Sequence, residues 1–425
     1  MSLQFFIKKV IHALWSLRYP DTYQKLQKCD ILLISHDNDL GITKNNKAYS
    51  PLIDSLFEKL EACGWQCARF LLPYTHMDEN QAFASPVRAN RRLFFLMLLY
   101  KVSVLFKLDN IKCNFLRFEA FTISSFYKEL FQEIECKCII GIGLNSHICK
   151  AANELGIFSV EVAHGIGLPQ LPLEMRLAKQ NELPKGIITF DSITFETFSK
   201  FLSKDIEVKY IPHLWLNRFE PEVRCNLPLE WVEKISIDKK YEKTILLTLQ
   251  WGYDGEFSHF NDIIKNGILS SCIEEVVKET KNNIFWLIRL HPIQLRDQKY
   301  SKHRKYLDNL TQTLSNCEWQ KASTLPLPSV LLQCDGHLTM SSMASYEAAF
   351  MGIKTLLLCP TLKNNGIYKH YFDDLKTLNM AKLGNLNKDE IMQWSYSIER
   401  AQKYIFNPHD TLEETIQWIV RDVRC

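Results

Sequence analysis

The sequence predicts an α/β protein built as two doubly wound, Rossmann-like domains facing a cleft. Three observations predict it. The chain of 425 residues is too long for one ordinary core. Short apolar runs alternate with helical patterns, which implies mostly parallel sheets with helices on both faces. The alternation stops once, in a stretch rich in proline and charge, and then restarts.

The elements follow in order. Cys29 to His36 is a largely apolar run, as expected of a buried parallel strand. Ser50 and Pro51 open a helix through Leu60, and Gly64 ends it. Strands are expected at Gln66 to Leu72, Cys138 to Leu144, Phe158 to Ala163, Gly186 to Phe190 and Glu207 to Ile211. Helices are expected at Ser146 to Leu155 and Thr194 to Leu202. These elements form an N-terminal, acceptor-side domain over 1–216. Residues 217–243, with Pro221, Pro228 and the run Asp238 to Lys240, read as a linker. The second domain, 244–405, has strands at Thr244 to Leu249, Ile284 to Leu290, Gly336 to Met340 and Thr355 to Cys359. Its helices are expected at Phe260 to Glu279, Ser342 to Phe350 and Asp389 to Tyr404. A last helical pattern, Leu412 to Val423, lies in a segment, 406–425, expected to cross back to the first domain.

Composition narrows the function classes. Hydrophobic residues make up 46% and charged residues 23%, as in a soluble globular enzyme. A net charge of +3 gives no argument for a nucleic-acid partner. The 13 cysteines show no repeating pattern, and Cys136-x-Cys138 and Cys63-x3-Cys67 lack the second half of a zinc site. Buried thiols in a reducing cytoplasm are expected. Met1 to Tyr19 is broken by Lys8, Lys9, His12 and Arg18, so it reads as an amphipathic helix rather than a secretory signal. No stretch reaches the roughly 18 uncharged apolar residues that a spanning helix needs. Arg88 to Lys107 combines arginines with an apolar helix. With the basic N-terminal helix it suggests peripheral contact with anionic lipid at the inner face of the inner membrane. The plainer reading is a core helix with a solvated basic end.

Two motifs carry the strongest chemical signal. Phe285 to Pro292, FWLIRLHP, is a strand ending in a cation and an imidazole. Arg289 and His291 alternate with Ile288 and Leu290, so they share one side of the strand end, where both can donate to a phosphate. Pro292 pushes His291 toward extended geometry. Met340 to Gly352, MSSMASYEAAFMG, runs from a strand end into a helix. Ser341 and Ser342 stand where a helix N-terminus binds anions, although an ordinary cap uses the same residues. Glu347 lies a little over one turn further and can accept from a ribose diol. Both motifs fall at the carboxyl edge of a sheet, where ligands of open α/β folds bind.

Weaker signals bear on the chemistry. Trp251-Gly252-Tyr253-Asp254-Gly255-Glu256 follows the first strand of the second domain, and Asp254 is the candidate carboxylate at the reacting centre, as nucleophile or base. In the first domain, Glu161 and His164 of EVAHG can point into the cleft, His164 as a base with Glu161 as its partner. His36 and Asp37, in His36-Asp37-Asn38-Asp39, end the first strand and can touch acceptor hydroxyls. No metal and no cofactor are expected.

A strand ending in His-Pro, followed some 50 residues later by Ser-Ser at a helix start, resembles bacterial capsule and lipopolysaccharide glycosyltransferases that use CMP-activated sugars. These are the Kdo transferases of capsule synthesis and the bacterial polysialyltransferases. The resemblance implies the GT-B architecture and assigns His291, Ser341 and Ser342 to the donor phosphate. It extends to the glycerol- and ribitol-phosphate polymerases of teichoic acid synthesis, which use CDP donors. The chain departs at Ala163, where the resembling families often carry Gln before His-Gly. The expected function is transfer of a sugar from a nucleotide-sugar donor, with CMP-Kdo or a related CMP-ulosonic acid favoured, to a glycan or glycolipid acceptor. The alternatives are a UDP- or GDP-sugar transferase, a CDP-polyol phosphotransferase, or a non-catalytic nucleotide- or sugar-binding partner of an export complex.

Overall fold

A computed structural model describes residues 13–105, 122–253, 263–264, 268–296 and 298–421. Two compact units divide the chain: residues 1–164, 170–215 and 407–425 in the first, and 165–169 and 216–406 in the second.

The first unit begins with β1 (Ile31–Ser35), all five residues of which are buried. A hairpin, β2 (Ile42–Lys44) and β3 (Lys47–Tyr49), follows on the tight turn of Asn45 and Asn46, both with positive φ. Then come β4 (Cys67–Leu71), β5 (Val87–Arg88), β6 (Cys138–Gly141), β7 (Phe158–Val162), β8 (Gly186–Thr189) and β9 (Glu207–Tyr210). The seven-stranded sheet runs β5-β4-β1-β6-β7-β8-β9, with every pairing parallel. Chain order therefore reverses between β1 and β6. Parallel strands are covered on both faces, which is why they read as unbroken apolar runs.

The second unit holds β10 (Lys243–Thr248), β11 (Ile284–Arg289), β12 (Cys317–Glu318), β13 (Gly336–Thr339), β14 (Lys354–Leu357) and β15 (Ala381–Leu383). They pair in parallel in the order β12-β11-β10-β13-β14-β15. This is the doubly wound order 3-2-1-4-5-6, with the switch point between its first and fourth strands. Thr248 pairs with Thr339 in register, so β10 and β13 end level there.

Local chemistry moves several expected boundaries. Of the helix expected over Phe260 to Glu279, residues 260–262 and 265–267 lie outside the described residues; the described helix is Ser271–Glu279, capped where the Ser270 hydroxyl accepts from Ile273 N at 3.2 Å. The helix expected from Ser342 starts at Ala344. The helix expected over Asp389 to Tyr404 is Lys388–Ser397, capped by Asn387. Residues 217–243 are not a bare tether. They form short 3-10 turns and bury Trp231, whose carbonyl accepts from Ser329 Oγ. In the first unit, Asp410 accepts from Lys209 Nζ at 2.9 Å and from Tyr210 N at 3.0 Å, and Trp418 Nε1 donates to Glu207 at 2.8 Å. Trp418 lies so close over β8 that a Cβ on Gly186 would come within 2.4 Å of its ring.

Candidate functional site

In the second unit the residues after β10 and β13 are joined by side-chain chemistry. Ser341 donates its backbone N–H to Gln250 Oε1 at 2.6 Å, and its hydroxyl lies 3.3 Å from the same oxygen. Tyr253 brings its hydroxyl within 3.3 Å of Ser341 Oγ and donates to Cys359 Sγ at 3.2 Å. That sulfur sits 2.9 Å from Thr361 Oγ1. Burial holds the Tyr253 phenol well above its usual range, so it stays a neutral donor. Ser342 turns the chain ahead of the helix Ala344–Phe350, whose N-cap position is Met343: its hydroxyl accepts from Ala344 N at 3.2 Å and its carbonyl from Ser345 N at 3.1 Å. The two adjacent serines thus have different local uses, one bridging strands and one starting a turn.

The FWLIRLHP motif divides in the same way. Arg289 is buried, and its Nη1 donates to the carbonyls of Ala322 at 2.5 Å and Leu325 at 2.7 Å. Through Nη1, Arg289 anchors the chain around Gln320–Thr324. Burial pushes Arg289 down to about 10, with the charge of Glu347 opposing. Burial pushes Glu347 up to about 7, opposed in turn by Arg289. Glu347 keeps part of its surface open to solvent. Its carboxyl is therefore poised between protonation states near neutrality.

His291 is exposed as a residue, yet its imidazole is pushed down to about 4, first by burial and then by the charges of Arg296 and Arg289. Its Nδ1 accepts from Ile293 N at 3.3 Å, while the His291 backbone N–H donates to Gln294 Oε1 at 2.9 Å. Nδ1 acts as acceptor, so the neutral ring carries its proton on Nε2. Pro292 opens the short helix Pro292–Arg296 at its first position, where proline costs no hydrogen bond. Trp251 stands with its ring 6.1 Å from that of His291.

In the first unit, the expected candidates gather at the carboxyl ends of β1 and β7. His36 Nδ1 lies 2.6 Å from Asp37 Oδ1, and the other Asp37 oxygen accepts from His76 N at 2.9 Å. The same Nδ1 accepts from Asn38 N at 3.1 Å, so the His36 side chain caps the turn Asp37–Asp39. Asp39 accepts from His36 N at 2.9 Å. Burial raises its carboxyl above the usual range, against that hydrogen bond and the opposing charges of His164, His36 and Arg69. Glu161 is engaged by the backbone of a neighbouring loop. Its two oxygens accept from Gly143 N and Leu144 N, both at 2.8 Å. The side chain of β7 thereby clamps the loop after β6 at the switch point of the first sheet. Burial pushes Glu161 up to about 8 despite those two donors.

Asp254, with Gly255 and Glu256, lies outside the described residues. Among the described residues, no group of three His, Cys, Asp or Glu side chains is placed to hold a metal ion. Also among them, no helix is long and apolar enough to cross a membrane, and every cysteine is free. Sequence reasoning passed over Gln250, Tyr253 and Asp39. Position was their only signal: each follows the first strand of its sheet, beside the switch point.

No known protein family and no curated protein matches the chain. Solved structures do. The UDP-GlcNAc 2-epimerase of Methanocaldococcus jannaschii superposes with a TM-score of 0.51 at 12% identity, over 92% of this chain and 98% of that one. The S. aureus MnaA–UDP co-structure gives 0.50 at 13%, over 87% of each chain. A variant of the wall teichoic acid polymerase TagF gives 0.50 at 10%, over 100% of this chain and 92% of that one. At these identities the likeness establishes architecture alone. The chain has the GT-B fold, two Rossmann-like domains with parallel sheets.

Proposed function

We propose that the protein is a glycosyltransferase of bacterial surface-polysaccharide synthesis. It takes its sugar from a nucleotide-activated donor and passes it to a glycan or glycolipid acceptor in the cytoplasm. The observation that carries the reading is the Gln250–Ser341 bridge. It spans the switch point of a doubly wound sheet, the place where such sheets bind ligands. Around it stand groups suited to a nucleotide: the Ser341 and Ser342 hydroxyls, the Nε2–H of His291 for phosphate, and the Glu347 carboxyl for ribose hydroxyls. Pro292 fixes the backbone beside His291. Arg289 acts indirectly, by holding the neighbouring chain and supplying charge beside Glu347.

On the acceptor side, the Asp37–His36 pair and His164 supply bases that can take the proton of an attacking hydroxyl. Asp254 remains the proposed carboxylate at the anomeric centre. The acceptor oxygen bonds to the anomeric carbon as the bond to the nucleotide breaks, and the phosphate leaves with the electron pair. Glu161 supports this reaction by fixing the Gly143–Leu144 loop.

For the donor base there are two readings. The fold neighbours named for UDP and UDP-GlcNAc favour a UDP-sugar. The His291-Pro292 and Ser341-Ser342 motifs favour a CMP-ulosonic acid such as CMP-Kdo. A thermal-shift panel of UDP, CMP, CDP and GDP separates them, since the true donor's nucleotide raises the melting midpoint and the others leave it unchanged. Epimerisation instead of transfer would appear as a changed sugar on an intact nucleotide, with no acceptor added.

A further inference from the structure

The geometry points to a docking face for anionic lipid, formed where the helical turn 13–16 meets the first turn of the helix Asn90–Leu105. Two hydrogen bonds join these elements: Asn90 Nδ2 to the Ser16 carbonyl and Arg91 Nε to the Leu17 carbonyl, each at 3.0 Å. Asn90 is fully buried, and its amide also bonds Thr75 N and Thr75 O, so the junction is built into the fold. Each element then carries large apolar side chains into solvent. Leu14 is 48% exposed, Trp15 54%, Phe95 51% and Leu98 49%. Arg91, Phe95 and Leu98 are spaced i, i+4, i+7, so they form one stripe, and Leu93 and Leu96 fill the buried side. An exposed apolar stripe on a helix with a filled core side calls for a partner.

Charge says which partner. Over the whole chain 51 basic residues face 48 acidic ones. In sequence the stretches Met1 to Pro20 and Arg88 to Lys107 hold Lys8, Lys9, Arg18, Arg91, Arg92, Lys101 and Lys107 and no acid, while Arg88 is buried and spent on Asp78 at 3.1 Å. Arg18 stacks its guanidinium 4.4 Å from the Trp15 ring centroid, which sets a cation at the rim of the apolar face. The nearest acid, Asp21, accepts from Arg91 N and Arg92 N and so caps the helix. Tryptophan, phenylalanine and leucine rimmed by arginine, without acids, match the boundary between headgroups and acyl chains of an anionic bilayer. Among the described residues no helix is long and apolar enough to cross a membrane, and the face proposed here lies along such a surface. The inference does not depend on the nucleotide site.

The test is co-sedimentation of the full chain with vesicles of equal parts phosphatidylglycerol and phosphatidylcholine, against phosphatidylcholine alone. The protein should pellet with the anionic vesicles and be released by salt. Trp15→Ser with Phe95→Ser should weaken partitioning about tenfold, and Arg18→Gln about fivefold. Phe95→Gln with Leu98→Gln repeats the test on one helix alone should the first pair fold poorly. Equal binding to both vesicles, or variants that pellet like the parent, would overturn the proposal. So would a parent that ignores vesicles but self-associates through this face, seen as a shift in sedimentation velocity that the variants abolish. A nucleotide-induced thermal shift retained in the variants keeps this result separate from the donor-site reading.

Discussion

Ser341 donates its backbone N–H to the side-chain oxygen of Gln250 at 2.6 Å, across the point where strand order reverses in the second sheet. A side chain from the neighbouring strand end satisfies that N–H. Gln250→Ala should leave it without an acceptor at a half-buried site, costing about 1–3 kcal/mol. Nucleotide affinity should fall, because the Ser341 hydroxyl loses its anchor. Gln250→Glu retains the acceptor oxygen and should keep more stability than the alanine variant. Thermal midpoints and nucleotide titration of the two variants check this.

His291 should bind phosphate as a neutral donor. Its pKa, pushed down to about 4, keeps the ring uncharged from neutrality down to weak acid. Nucleotide affinity should therefore show no rise attributable to this histidine between pH 7 and about pH 5. His291→Ala removes both the Nε2–H and the cap on Ile293 N, and should weaken nucleotide binding about tenfold. Binding isotherms across that range, on the parent and on His291→Ala, provide the comparison.

Glu161 makes a stability prediction with a definite sign. Its folded pKa of about 8 lies above the usual 4.5, so the folded state holds a proton that the unfolded state has released. Stability should fall as pH rises through that interval. Glu161→Gln should flatten the fall. It should also lower stability by about 1–3 kcal/mol, since one of Gly143 N and Leu144 N loses its acceptor. Urea unfolding at several pH values separates the flattening from the offset.

Two buried histidines predict the acid limb. His337 of β13 sits between Thr248 Oγ1 at 2.8 Å and Thr355 Oγ1 at 2.9 Å, and His213 packs its ring 4.7 Å from that of Phe190. Burial pushes both down to about 3, so the unfolded state takes up protons first as pH falls below about 6.5. Stability should drop between there and pH 3, and His337→Gln should remove part of that drop. Circular dichroism melts over the range measure it.

Asp54 and Arg69 form a fully buried pair, with Arg69 Nε 2.8 Å from Asp54 Oδ1. Arg69 also donates to the Leu33 carbonyl at 3.2 Å and Ser35 Oγ at 3.0 Å, which ties it beneath the end of β1. Asp54→Ala should destabilise the first unit by about 3–5 kcal/mol, since it strands a buried charge. A double change, Asp54→Leu with Arg69→Met, should recover much of that loss in the same melt.

The fold class was legible because parallel strands are written locally. Ile31 to Ile34 and Ile284 to Ile288 are buried on both faces and read as unbroken apolar runs. The ends of those strands were legible too, which is how His36, His291 and Ser341 came into view. The partners of each side chain were not. Arg289 finds its carbonyls at Ala322 and Leu325, more than thirty residues on, and Glu161 finds its donors on the loop after a neighbouring strand. Such pairings exist only once the sheet is assembled, and periodicity carries no trace of them. Trp231 shows the same limit: a stretch with the composition of a linker buries its one tryptophan.

The most direct test of the central claim is calorimetric titration of the parent and of a Gln250→Ala, Ser341→Ala variant with UDP and with CMP. The account predicts saturable binding of one pyrimidine nucleotide to the parent and a loss of about tenfold or more in the variant, with the first unit's stability unchanged. Equal affinity of parent and variant, or no binding of either nucleotide to the parent, would contradict it.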